Sequence, residues 1–250
     1  MRVAALSDIH IGVTPGRDGF GHAPAAFIAW LDHLRQSHDR VVLVGDVFQT
    51  DHGWWPGSRA VALHAARRRL PELLAGVDYV HGNHDLVAAE AIAAPTTLRL
   101  EADGVALVFT HGHQFDPVAR GAQWLADAGT YTTGTLRRLG AVALASWLER
   151  RDVAIKHARF GGAHGPYARG ALSLARRLEA DLVVMGHTHA AELHTWPGVV
   201  YGNCGTCSGG ERQCLSIDTA RGGVELWRWP RRASATTVPH VLARASLPSR

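Results

Sequence analysis

The chain has 250 residues, 46% hydrophobic and 19% charged, enough apolar material for one substantial core and too little charge for a disordered chain. Its formal net charge of +4 is modest, and no basic and aromatic residues interleave into a platform, which argues against a dedicated nucleic-acid binder. The opening MRVAALSDIH has an acid at Asp8 and no leader-like apolar stretch, and no uncharged apolar run reaches the ~18 residues of a membrane span, so the expectation is a soluble, cytoplasmic protein without a transmembrane segment.

Five short apolar runs end in polar clusters: VAALSDIH (3–10), RVVLVGDVF (40–48), VDYVHGNHD (77–85), VALVFTHGH (105–113) and DLVVMGHTH (181–189). Each apolar part has the length and the Val/Leu richness of a buried strand. APAAFIAWLDHLRQ (23–36) and SRAVALHAARRRLPELLAG (58–76) carry helical spacing between the first three runs, with Pro71 as a break. The alternation argues for βαβ units and an α/β fold. TTLRLEADGVALVFTH predicts a hairpin at Asp103-Gly104. Residues 116–180 are helical in pattern and too long for a simple crossover; they read as an insertion capping a crevice, with ordinary packing helices as the alternative. AELHTW, GVVYGN, RQCLSIDT and GVELWRW read as short strands, making the sheet mixed. The domain is expected to span 1–230, and 231–250, which lacks sustained periodicity, to be a mobile tail.

In open α/β sheets, ligands bind beyond the carboxyl ends of strands, so five such ends side by side would gather the polar clusters. Asp8 and His10 alternate, which on an extended backbone puts both on one side about 6–7 Å apart. Asp46 can bridge two ions, Asn83 offers a neutral oxygen, and His111, His187 and His189 offer imidazole nitrogens. Mixed oxygen and nitrogen donors suit manganese, iron, zinc or cobalt. Seven ligands are too many for one tetrahedral site that keeps a water, and they fit two ions sharing a carboxylate. Glycines 45, 82, 112 and 186 beside the clusters permit tight turns and close approach. The three cysteines, Cys204, Cys207 and Cys214, lack the second pair of a zinc site and read as reduced structural thiols.

The ordered set DIH, GD, GNHD, HGH and GHTH resembles the calcineurin-like metallophosphoesterases. The resemblance implies a sandwich of two mixed β-sheets flanked by helices, here with a helical insertion, and two divalent metal ions. By position, Asp8, His10, Asp46 and His189 would hold one ion, and Asp46, Asn83, His111 and His187 the other. His84 would contact the phosphate and assist the leaving oxygen, and Asp85 would orient His84. His113 would be a support to the ligands or a substrate contact, and His81 structural. The implied reaction is phosphoester or phosphoanhydride hydrolysis by in-line attack of a metal-bridging hydroxide.

The substrate stays open. The insertion is similar to the lid of UDP-2,3-diacylglucosamine hydrolases, although that group carries arginine where this chain has His84. Arginines and apolar stretches in the insertion suit a small anionic phosphorylated substrate with an apolar part. Trp54 and Trp55 could stack on a base, grip an acyl chain or lie in the core. A nucleotide phosphodiesterase, a DNA nuclease and a non-catalytic metal-binding scaffold are the other readings.

Overall fold

The computed structural model describes residues 1–50, 58–231, 233–234 and 236–248, and within 119–128 the backbone only. The N-terminal part alternates as its periodicity predicts, through β1 (Arg2–Leu6), α1 (Pro24–Ser37), β2 (Arg40–Val44), α2 (Ser58–Arg69) and β3 (Asp78–Val80). Pro24 opens α1, where its missing N–H is no loss, and α2 stops just short of Pro71. A single turn, α3 (Ala88–Ala91), precedes the hairpin of β4 (Thr97–Ala102) and β5 (Val105–Thr110). Asp103 and Gly104 join these strands with φ of 53° and 75°, the left-handed pair of a type I′ turn. Three helices follow, α4 (Pro117–Arg138), α5 (Val142–Phe160) and α6 (Pro166–Leu178). The chain then runs through β6 (Leu182–Met185), β7 (Ala191–Trp196), β8 (Val199–Cys204), β9 (Arg212–Asp218), β10 (Gly223–Trp229) and β11 (His240–Ser246).

Two mixed sheets form a sandwich, ordered β11-β10-β9-β1-β2-β3 and β4-β5-β6-β8-β7. The period-2 alternation of β1 and β2 explains the layering. Val3, Ala5, Val42 and Val44 face the second sheet and pack with Leu107, Phe109, Leu182 and Val184. Their neighbours Ala4, Leu6, Val41 and Leu43 face outward beneath Phe27, Trp30, Leu31 and Leu34 of α1. On the far flank α6 lays Ala168, Ala171, Leu174 and Ala175 against Val108, Val183 and Met185. The order of layers is helix, sheet, sheet, helix, and each fully buried Leu, Val or Phe contributes roughly 1.5–3 kcal/mol.

Three features differ from the sequence expectation. The five polar-tipped strands do not lie side by side: β1, β2 and β3 pair in parallel in one sheet, β5 and β6 in the other, and sandwich packing brings their ends together. Within 116–180, α6 is a crossover helix packed on β6 and β8 rather than part of a cap, which leaves α4 and α5 for that role. In the segment expected to be a mobile tail, β11 pairs antiparallel with β10, and Leu247 is buried beyond it. β11 is an edge strand with a largely exposed face, so burial never imposed the alternation that would have marked it.

Candidate metal centre and active site

Five of the seven expected ligands sit on left-handed backbone: Asp8 (φ 55°), His10 (55°), Asp46 (52°), His187 (69°) and His189 (57°). Such φ values are uncommon outside glycine and persist where the surroundings over-determine them. Here the turns after β1 and β2 are laced together, since Asp8 N donates to Gly45 O at 3.1 Å and His10 N to Asp46 O at 3.0 Å. The second sheet is tied in by His187 N, which donates to Asp8 Oδ2 at 3.0 Å. Asp8 and His10 therefore converge through a tight turn beyond β1, not by alternation on an extended strand as expected. Two glycines make room for this. A Cβ at Gly45 would strike the His111 ring, and one at Gly82 would strike the Asp46 carboxylate.

The ligand-type atoms gather in two adjoining groups, Asp8 with His10 and His189, and Asp46 with His111 and His187, joined by a third, His10 with Asp46 and His84. His189 Nε2 lies 3.2 Å from Asp8 Oδ1 and 3.2 Å from His10 Nε2. In the second group His111 Nε2 is 3.0 Å from Asp46 Oδ2, and His187 Nδ1 is 3.0 Å from Asn83 Oδ1. Two atoms bound tetrahedrally at 2.0–2.1 Å to one ion lie about 3.3 Å apart, close to these spacings.

The outer nitrogens of three imidazoles fix their tautomers. His10 Nδ1–H donates to Gln49 Oε1 (2.6 Å), His111 Nδ1–H to Val44 O (2.9 Å) and His187 Nε2–H to Asp116 Oδ2 (2.9 Å). In the neutral rings the inner nitrogens then present lone pairs: His111 Nε2 to a carboxylate and His187 Nδ1 to an amide oxygen. Asp8 Oδ1 and His111 Nε2 are buried without a hydrogen-bond partner. Acceptor facing acceptor is repulsive unless positive charge lies between, so the donor set fits cations. The same demand appears in protonation. Burial opposes a charge on His111, yet Asp46 beside it pushes its pKa up to about 9. Burial likewise disfavours charge on Asp8 and Asp46, but the surrounding imidazoles hold both well below the usual carboxylate range.

His84 lies at the edge of the cluster, its Nε2 3.8 Å from Asp46 Oδ2 and its ring edge-on to His10 at 5.1 Å. The expected orienting partner, Asp85, does not touch it. Asp85 is wholly buried and accepts hydrogen bonds from Val47 N (2.7 Å), Phe48 N (3.1 Å), Gly82 N (2.5 Å) and Tyr79 Oη (2.5 Å). It pins the two metal-site turns together, because its side chain points back under the loop. Gln49 takes the orienting role: its Nε2 donates to His84 Nδ1 at 2.9 Å while its Oε1 accepts from His10. Sequence reasoning missed Gln49 and Asp116, since neither belongs to a ligand-type cluster. His113 makes no hydrogen bond through its buried Nδ1; its ring centroid is 5.7 Å from that of His111, and burial with His111 and His187 nearby pushes its pKa down to about 3. His81 Nε2 lies 3.1 Å from Thr96 Oγ1. Trp54 and Trp55 lie outside the described residues. The three cysteines are buried and unpaired.

Residues 1–220 match the calcineurin-like phosphoesterase superfamily domain. The chain belongs to this superfamily. Its fold is similar to that of Vps29 from Chaetomium thermophilum (12% identity, TM-score 0.52, 99% of each chain covered). It is also similar to Vps29 from Entamoeba histolytica in complex with zinc (16% identity, TM-score 0.50, 98% of this chain and 99% of that one). YfcE, a phosphoesterase from E. coli, shares the fold as well (17% identity, TM-score 0.50, 99% of this chain and all of that one). No curated protein matches the sequence.

In this calcineurin-like chain the cluster lines a cavity of about 1890 Å³ that α5 and the C-terminal part of α4 also line. Among the described residues, polar contacts fix the α4–α5 hairpin at both ends. Arg137, nearly fully buried, donates to Asp18 O (2.7 Å), Ser146 Oγ (3.1 Å) and Glu149 Oε2 (2.5 Å). At the other end His157 Nδ1 is 3.0 Å from Glu192 Oε1, which also accepts from Gly162 N at 3.1 Å. No helix among the described residues is long and apolar enough to cross a membrane.

Proposed function

We propose that the chain is a metal-dependent phosphoesterase with a binuclear centre, acting on a small anionic phosphorylated substrate. Asp8, His10, Asp46 and His189 would hold one divalent cation, and Asp46, Asn83, His111 and His187 the other. When bound, such a pair supplies an activated water and positive charge for a phosphoryl group. The observation that carries the reading is the convergence of buried carboxylates, imidazoles and the Asn83 amide oxygen on adjoining groups, with His187 Nδ1 facing Asn83 Oδ1 and His111 Nε2 facing Asp46 Oδ2.

The rest falls to protein side chains. With Nδ1 accepting from Gln49, His84 carries its proton on Nε2, on the side of the Asp46 carboxylate, and His84 lines the cavity. From there it can donate to a phosphoryl oxygen or to the departing ester oxygen, the work of a positioned acid. Gln49 holds His10 and His84 in register through one amide, so the acid and a metal ligand keep a fixed spacing. Asp116 sets the ring of His187 in the same way. The cap wall narrows access and disfavours bulky phosphoproteins as substrates.

The test is elemental analysis and turnover of bis-p-nitrophenyl phosphate on metal-free protein titrated with manganese, iron, zinc or cobalt. The expected result is two ions per chain and turnover that chelation abolishes. Saturation at one ion, or bound metal without hydrolysis of any mono- or diester, overturns the reading, the second in favour of a scaffold.

A further inference from the structure

One side of α5 has no part in the proposed chemistry, and it is apolar. With 3.6 residues per turn, Leu144, Trp147, Ile155 and Ala158 fall on one stripe about 80° wide, with Arg151 in its middle. Leu144, Trp147 and Ile155 are about half exposed, and Arg151 and Ala158 are exposed as well. Val142, Ser146, Val153 and Phe160, which line the cavity, fall on the opposite side of the helix. Ile155, at one edge of the stripe, also borders the cavity. Leu139, at the turn that joins α4 to α5, is 78% exposed. Single exposed apolar side chains are ordinary; a row of them along one helix marks a binding face.

The charge of the molecule is concentrated in the same place. Residues 137–160 hold six basic and two acidic side chains, a net +4 that equals the formal charge of the whole chain, so the rest of the sequence is balanced. Within the stripe, Arg151 lays its guanidinium over the Trp147 ring at 5.4 Å. Arg150 and Arg159 are exposed and border the stripe, one on each side. Aliphatic and indole side chains set among arginines suit the headgroup boundary of an anionic bilayer. The apolar groups enter it, and the long cationic stems reach back to the phosphates. A second copy of the chain suits this face less well. A two-fold axis through the centre of the stripe would set Arg151 against its own copy and oppose one excess of positive charge with another.

We infer that this side of α5 docks the protein on an anionic lipid surface, with Leu144 and Trp147 entering the headgroup layer and the cavity held one helix thickness away. The inference does not depend on the chemistry of the metal centre.

The test is flotation of the full-length chain with vesicles of phosphatidylcholine alone and of an equimolar mixture with phosphatidylglycerol. Partitioning should rise by about tenfold or more with the anionic lipid and fall as salt is added. Brominated acyl chains should quench part of the tryptophan fluorescence, and Trp147→Leu should bind the vesicles without that quenching. Leu144→Ser/Trp147→Ser and, separately, Arg150→Gln/Arg151→Gln should each cut partitioning by about tenfold, with the circular dichroism and metal content of the wild type. Val61→Ser, which removes an exposed apolar side chain from α2, should bind as the wild type does. Equal partitioning onto both kinds of vesicle, undiminished binding in either double variant, or no binding to the anionic vesicles would overturn the inference. Concentration-dependent dimerisation without vesicles that Leu144→Ser/Trp147→Ser abolishes would overturn it as well, and would assign the face to a second copy.

Discussion

The strand-end cluster and the α4–α5 hairpin face each other across one cavity, yet they are held by different forces. The cluster stands on the carboxyl ends of strands whose side chains fill the two apolar layers, and its turns are cross-linked by backbone hydrogen bonds and by Asp85. Among the described side chains the hairpin buries little: α5 has one fully buried residue, Ala145, while Leu139, Leu144, Trp147 and Ile155 are exposed. Among the described residues it is tied down by polar contacts at Arg137, Arg138 and Glu192. Regions with few buried apolar contacts open at lower free energy than core strands. The arrangement places the atoms that must keep sub-ångström register on the rigid side.

That contrast can be broken from either side. Asp46→Asn should have the largest effect, because this carboxylate adjoins both ligand groups. Metal content should fall at both sites and turnover by about 10³-fold or more; unchanged stoichiometry by elemental analysis would remove the bridging role. His84→Ala should leave both ions bound and slow turnover by about 10²–10⁴-fold, and a wild-type rate would exclude His84 from the reaction. Gln49→Leu keeps the volume but removes the amide that joins His10 to His84. It should lower kcat or metal affinity by about 10–100-fold, with Gln49→Glu restoring part of the loss, and full activity in Gln49→Leu would show the bridge to be incidental. Arg137→Gln should act on the other side alone, costing about 1–3 kcal/mol locally. Hydrogen exchange should accelerate in α4 and α5 while β1, β2 and the metal content stay as they were; uniform acceleration would mean that hairpin and core open together.

The candidate ligands were legible because each closes a local pattern, an apolar strand-length run ending in Asp, Asn or His, in most cases beside glycine. Helical periodicity placed α1 and α2, and the Asp103-Gly104 pair placed the hairpin, for the same reason. The supports of the site were not legible in that way. Gln49 meets His84 from 35 positions away and Asp116 meets His187 from 71, and nothing in the chemistry of a glutamine after GDVF or an aspartate after HGHQF marks either. Asp85 was read as the partner of His84 from adjacency, whereas the turn directs its carboxylate to Val47 N and Phe48 N.

Sequence alone determined that side chains of cation-binding type close five strands, since this follows from residue chemistry and the period of apolar residues. The tertiary structure decided that those strands divide between two sheets, that five ligands adopt left-handed backbone, that α6 belongs to the core while α4 and α5 wall the cavity, and that β11 joins the sheet edge. These outcomes depend on contacts between distant segments, which are fixed only when two sheets pack and their ends are forced to share one space.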